Sequence, residues 1–490
     1  MNKTLSGAAA LVLLASQAAR ADFVDLLGSF STPLENESAQ AAWDTYENLL
    51  NSGCDDAMLV DPGVSAQGQQ ASCSGRTFRI FSNVRELVHT GNELTGKGAT
   101  RFSLGSTKQG LGFALRWLAA EEYSSQGDMS SDFVSGQMVG LSARLTALRF
   151  GARGFQFAQG GVWQGGDYAG IYGSNGGSAG SEIGYSQWGG FLNFQYGSGT
   201  HDPTGLEDAF DLKTYGLTGG LDYRLDDRWV VGTTLGYSDE QIDFDAALSV
   251  VEGGIKTKGY SVMPFFMFQQ GNYYVSGSLG YQSLSFDSER YIRYPSFNPD
   301  LPSTNTETVS SSNASVISAF AETGYDFIWK AFTVEPYINL NSSSITIDEF
   351  VEDDLNNDGF DLVIQKQSFS TLDASLGTKF QYTFTWGNSV FVPYLTLEQV
   401  SQLQDSPRTV DAYYAGLPFQ ESTFHISTDK EDGAYGTVNF GMSAVLRGGQ
   451  QKKLGGTIGG DIQAFFNIKK IIGLENYTLN FYSLGIRVAF

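Results

Sequence analysis

Three histidines, two cysteines and a scatter of carboxylates and arginines are what this 490-residue chain offers for chemistry. His89, His201 and His425 are the only histidines, and no G-x-S-x-G, P-loop or zinc spacing accompanies them. Neither an activated nucleophile nor a metal-bound water is therefore expected, and the chain reads as no enzyme, with no catalytic residue, cofactor or metal ligand. Cys54 and Cys73 would form a disulfide in an exported protein, closing a loop that stabilises by ~3 kcal/mol. With no histidine between them, a metal site is the weaker reading. DLNNDGFDLVIQ, from Asp354, matches the opening of a calcium loop through Asp354, Asn356, Asp358 and Gly359. Its twelfth position is Gln365 instead of the bidentate Glu that calcium needs, which favours a plain acidic loop.

The elements that must position these residues begin with a secretory leader at 1–21. Lys3 gives it a positive start, Leu11 to Leu14 an apolar stretch too short to span a bilayer, and Ala19-Arg20-Ala21 a cleavage site. Residues 22–128 form a short, mixed segment in which only Glu37 to Leu50 has helical spacing and the rest is short and polar. Over 129–155, Met138, Leu141, Leu145 and Leu148 repeat at helical spacing, while Arg144, Arg149 and Arg153 add cationic positions. A Gly- and Ser-rich stretch at 156–182 reads as a flexible connection.

From 183 to 490 the period is two. Trp188, Gly190, Leu192, Phe194 and Tyr196 alternate with Gln187, Gly189, Asn193 and Gln195, and about twelve such segments follow one another. The expected fold is an all-β membrane barrel of about twelve antiparallel strands, with an N-terminal pore helix and a small mixed N-terminal segment. Long and short connections alternate, as in barrels with short turns on one side and extended loops on the other. Pro264, Pro336 and Pro393 count against the reading, since proline removes a ladder donor. On this period Asp222, Glu322, Asp326, Glu335, Asp373 and Glu398 point into the lumen, where the helix arginines could pair with them and hold the helix as a plug. The net charge of -23 leaves no basic surface for nucleic acid.

The last strand alternates Tyr482, Leu484, Ile486, Val488 and Phe490 with Ser483, Gly485, Arg487 and Ala489, and resembles the assembly signal of outer-membrane barrels. With the helix, the linker, GLTGGLDYRL and VVGTTLGYS, residues from about Asp132 to Phe490 resemble the translocator domain of an autotransporter, the type V secretion system. That resemblance implies a twelve-stranded barrel with a helix threaded through its pore and a passenger N-terminal to it. Here only about a hundred mature residues precede the helix, unlike the large passengers common in the family. The implied function is export or display of this short region through the barrel's own pore. Two other readings are a helix-plugged pore or structural barrel, and a barrel-borne surface hydrolase. The expected partners are outer-membrane lipid, lipopolysaccharide and the barrel-assembly machinery. The expected setting is the outer membrane of a Gram-negative bacterium, as a monomer with the N-terminal segment at the surface.

Overall fold

The structure, a computed structural model, describes residues 32–63, 71–152 and 188–489, apart from 227, 245–249, 388, 405–407, 419, 421, 431 and 448–461. The leader at 1–21, the linker at 156–182, Arg153 and Phe490 lie outside the described residues.

The alternating segments build twelve antiparallel strands: β1 (Trp188–His201), β2 (Phe210–Arg224), β3 (Trp229–Phe244), β4 (Gly253–Gln270), β5 (Tyr273–Tyr294), β6 (Thr304–Tyr325), β7 (Phe332–Ile347), β8 (Gln367–Tyr382), β9 (Ser389–Gln404), β10 (Ala434–Arg447), β11 (Ile462–Ile472) and β12 (Tyr477–Ala489). Each pairs with the next, and β12 returns to β1 with Gly189 opposite Ala489 and His201 opposite Tyr477. The sheet is closed, so no strand edge is left for lipid to meet.

The three prolines are accommodated without a register-shifting bulge. Pro264 falls in a gap of the β4–β5 ladder between Val262 and Phe265. Pro336 lies past the last β6–β7 pair at Tyr337, and Pro393 past the last β8–β9 pair at Tyr394. In each case the ladder on one side has ended or paused where the missing N–H would have been needed.

Outward side chains form an apolar belt edged by aromatic pairs. Near the short turns, Trp188 packs on Tyr223 and Trp229 on Phe268, both at 4.8 Å. Farther along the strands, Tyr196 meets Tyr215 at 5.2 Å, and Tyr237 meets Tyr260 at 5.3 Å. The eight-residue rise from Trp188 to Tyr196 is about 26 Å of strand. Tilted as barrel strands are, it stands roughly 20 Å tall, close to the apolar band of an outer-membrane barrel.

Beyond the belt the polarity of the wall inverts. On β5, Leu279 and Tyr281 face outward and are more than half exposed, whereas Ser283, Ser285, Asp287 and Glu289 take the same face farther on. Over that stretch the inside turns apolar, with Leu284, Phe286, Ile292 and Tyr294 buried. The outer half of the barrel is therefore built like a soluble protein, dry within and polar without. Much of what the sequence pattern assigns to long loops is strand: β5 runs to Tyr294 and β6 starts at Thr304, so RYIRY and TNTET pair instead of looping.

The N-terminal segment is helical, which corrects the expectation of a short polar stretch beyond Leu50. Helix α1 (Pro33–Asn51) starts on a capping box between Thr32 and Glu35, with proline in its first turn. Helix α2 (Arg76–Asn92) buries Phe78, Phe81, Val84, Leu87 and Val88, and α3 (Lys108–Ala119) buries Leu111, Leu115 and Leu118. At Ala120 the chain takes a left-handed conformation, φ 55°, passes through a short turn at Glu121–Ser124 and enters α4 (Ser125–Ala152). The side chains of α1–α3 share one continuous apolar core with the inward residues of the outer barrel, among them Phe210, Phe286, Val316, Ile345 and Phe481. The helices cap the long-loop end. A small sheet of Phe350–Val351, Leu362–Ile364, Thr409–Tyr414 and Thr423–Ser427 supports them.

Candidate functional site: a threaded pore with a capped mouth

Helix α4 runs inside the barrel from the capped end toward the short turns. Leu141, Leu145 and Leu148 pack on Val230, Met263, Phe265, Met267 and Phe320 of the wall, with Met138 partly buried against the same cluster. The helix passes close to β1 and β2 because Gly140 has no side chain: a Cβ there would stand 3.4 Å from that of Thr218.

Its arginines fill the polar part of the lumen. Arg144, fully buried, pairs with Asp222 and lies 5.1 Å over the Phe191 ring. Arg149 reaches Glu322 at 3.0 Å and Glu335 at 2.7 Å, with its guanidinium 3.8 Å over the Tyr274 ring. Lys379 adds a second cation 3.4 Å from Glu335. Asp373 and Glu398 instead line the passage beside the helix, Glu398 accepting from Tyr337 at 2.5 Å and Asn339 at 3.2 Å. Asp326 is buried at the foot of β6, its amide donating to Asn272. Tyr482, Leu484, Ile486 and Val488 face outward from β12.

The helix leans on the β1–β7 wall and leaves a cavity of about 340 Å³ beside it, lined by Ser135, Ser142, Asn339, Asn467 and others. Near the cap the helix is pinned by Asp128 to Arg408 at 2.6 Å and by Asp132, which accepts from Tyr477 at 2.6 Å.

The cap is tied to the mouth by buried polar contacts that the sequence does not advertise. Arg290 on β5 makes a two-pronged pair with Glu352, at 2.8 and 2.7 Å, and donates to the Trp117 carbonyl of α3 at 3.0 Å. Glu352 also accepts from Tyr123 at 2.8 Å and Thr308 at 2.9 Å. Arg116 pairs with Asp208, Glu37 accepts from Ser427, and the Phe297 amide donates to the Leu104 carbonyl at 2.8 Å. Cys54 and Cys73 are joined by a disulfide beside α1 and α2. The Asp354 carboxylate is turned onto its own loop, accepting from the amides of Asn356, Asp358, Gly359 and Phe360 and from Thr306.

The histidines lie apart. His89 sits within the cap between Thr100 and Asp56, and His425 is exposed beside Asp411. His201, at the barrel mouth, stands with Glu207 and Asp429, whose candidate ligand atoms all lie within 4.8 Å of one another. Asp429 is more than two hundred residues from its neighbours in sequence, so no local motif could reveal this group.

Two buried carboxylates sit in the turn between α3 and α4. Glu121 and Glu122 are buried, and burial raises both, Glu122 to about 8; Asp208 and Glu122 push Glu121 further up, while Arg290 partly offsets the rise at Glu122. A carboxyl raised in the folded state stabilises fully below its unfolded pKa, near ~4.3, and loses that contribution as pH climbs through the folded value. Asp56 acts oppositely: burial would raise it, but the bond and charge of His89, with Tyr46 and Arg85, hold it below the usual range, so its contribution fades only in acid. The cap is expected to hold more firmly at pH 5.5 than at pH 8.5, read as a higher urea midpoint for loss of α1–α3; identical midpoints would contradict it.

A family model described as the autotransporter beta-domain matches residues 190–455, more than half of the chain. Among solved structures, the translocator domain of autotransporter NalP from Neisseria meningitidis is similar at 14% identity and a TM-score of 0.45, covering 63% of this chain and 90% of that one. The beta domain of the Bordetella autotransporter BrkA is similar at 16% identity and a TM-score of 0.40, covering 62% and 99%. The transport unit of AIDA-I from Escherichia coli is similar at 10% identity and a TM-score of 0.38, covering 63% and 92%. No curated protein matches the chain by sequence. The twelve-stranded barrel, the belt that fits a bilayer and the match over the barrel strands place this chain in the autotransporter family, whose β-domains reside in the Gram-negative outer membrane.

Proposed function

We propose that this barrel exports its own N-terminal segment and keeps it, as a docked cap over its outer mouth, at the cell surface. The observation that carries the reading is the path of the chain. The cap packs on the long-loop end, α4 occupies the pore, and β1 begins among the short turns at the opposite end. With short turns in the periplasm, as outer-membrane barrels have them, the cap lies outside and β1 begins on the periplasmic side. The continuous apolar core between cap and barrel supports retention over release, because undocking would expose Phe210, Phe286, Val316 and their neighbours to water. The reading needs no catalysis: the energy of folding the outer half of the barrel around the cap can hold the segment outside once it has crossed.

An epitope tag inserted between Leu59 and Val60, both well exposed on the cap, tests it. Antibody is expected to stain intact cells as strongly as lysed ones. Staining that appears only after the outer membrane is breached would place the cap inside and end the reading.

The plugged-pore alternative is favoured by one specific feature, the Arg149 network with Glu322, Glu335 and Lys379, which fixes the helix where a conducting path would run. It is compatible with display: the same helix can close the pore after export.

A further inference from the structure

We propose that His201, Glu207 and Asp429 bind one divalent transition ion of the zinc or manganese class, which staples the β9–β10 connection to the β1–β2 connection at the barrel mouth. His201 is 8% exposed, and its ring stacks on Phe210 with centroids 4.9 Å apart, so its direction is fixed by packing. Its Nδ1 faces the Asp208 carbonyl at 3.3 Å. Donating there, the neutral ring leaves a lone pair on Nε2, the arrangement a metal-bound imidazole adopts.

Nε2 points between two carboxylates, 3.7 Å from Glu207 Oε2 and 3.9 Å from Asp429 Oδ2, beyond hydrogen-bond distance of either. Ligand atoms ~2.1 Å from a shared ion lie roughly 3.0–3.5 Å apart, so a small contraction of the side chains would complete the set. Both carboxylates are already held by other bonds. Asp429 Oδ2 accepts from Thr204 at 2.6 Å, and Glu207 Oε1 from the Asp429 amide at 3.1 Å. The local charges also call for a cation. Glu207, Asp429 and Asp128 face one another, and Arg408 is engaged with Asp128 at 2.6 Å. The group borders the 340 Å³ cavity, so water can fill the positions the protein leaves open. One nitrogen and two carboxylate oxygens suit zinc or manganese better than calcium, which prefers an all-oxygen shell.

The staple would act on the cap indirectly. Asp429 follows Ser427, whose amide and hydroxyl hold Glu37 of α1.

The full-length protein in detergent, stripped with chelator and dialysed, is titrated separately with zinc chloride, manganese chloride and calcium chloride by calorimetry. Zinc or manganese is expected to bind once per chain, and His201→Ala and Asp429→Asn are each expected to weaken that binding at least about tenfold. Asp429 is partly exposed, so its variant keeps the test valid if loss of His201 disturbs packing on Phe210; heat-modifiable gel migration reports an intact barrel. Absence of transition-metal binding, binding of calcium alone, or zinc and manganese affinities unmoved by Asp429→Asn would each overturn the proposal.

Discussion

Replacing Arg290 by methionine is expected to release the cap while leaving the barrel closed. Arg290 is almost fully buried, and its removal strands Glu352 as an unpaired carboxylate among Tyr123, Thr308 and the Leu362 amide. Breaking one side of a buried pair costs about 3–5 kcal/mol, because the remaining charge has lost both water and partner. The Trp117 carbonyl loses its donor as well. The loss falls on contacts linking α3, β5, β6 and the small sheet, so it should appear as cap opening. The cap fragment of Arg290→Met should be digested by added protease far faster than wild type, while the strands stay resistant. A double variant, Arg290→Met with Glu352→Leu, should recover much of the protection, since apolar residues can replace both members of a buried pair at little cost. Equal sensitivity of the single variant and wild type would show that the pair does not hold the cap.

The second large effect is expected at Arg149. Methionine there leaves Glu322 and Glu335 side by side on neighbouring strands, with Tyr274 donating to both and Lys379 as the cation beside Glu335. The same 3–5 kcal/mol shifts the seated-to-unseated equilibrium of α4 by roughly two to three and a half orders of magnitude. In planar bilayers Arg149→Met should therefore open often where wild type stays shut. Adding Glu322→Gln and Glu335→Gln should quieten it again. The apolar contacts of Leu141, Leu145 and Leu148 with the β3–β6 wall are unchanged in these variants, which isolates the charge term. Conductance indistinguishable from wild type would mean that the arginine does not secure the plug.

The membrane half of the barrel was legible in the sequence because lipid and lumen impose opposite demands on alternate residues. Trp188, Leu192 and Phe194 against Asn193 and Gln195 on β1 already state the pleat, and the outward set of β12 repeats it. The outer half was not legible, because there the pattern reverses its meaning. Along β5 the outward residues change from Leu279 and Tyr281 to Ser285 and Asp287, and period two alone cannot say which face is wet. Proline and polar residues near 295–303 then make the flanking strands resemble one long loop. The cap helices do carry a local signal: Phe78, Phe81, Val84, Leu87 and Val88 recur at helical spacing, and so do Leu111, Leu115 and Leu118. Their partners, however, come from barrel strands β2 to β7 and β12, far along the chain, which local spacing cannot supply. The same distance hides Arg290 with Glu352 and His201 with Asp429. The Arg149 network was half visible: lumen parity placed Glu322 and Glu335 inward, but only the threading of α4 chooses them over Asp373 and Glu398.

The most direct measurement of the threaded chain is a cross-link between helix and wall. Gly140→Cys with Thr218→Cys sets two Cβ positions 3.4 Å apart, close to the separation a disulfide spans. After oxidation in cells and proteolysis between residues 153 and 187, the N-terminal fragment should stay joined to the barrel on a non-reducing gel and separate on a reducing one. Fragments that separate under both conditions, from a barrel that still shows heat-modifiable migration, would mean that α4 does not occupy the pore.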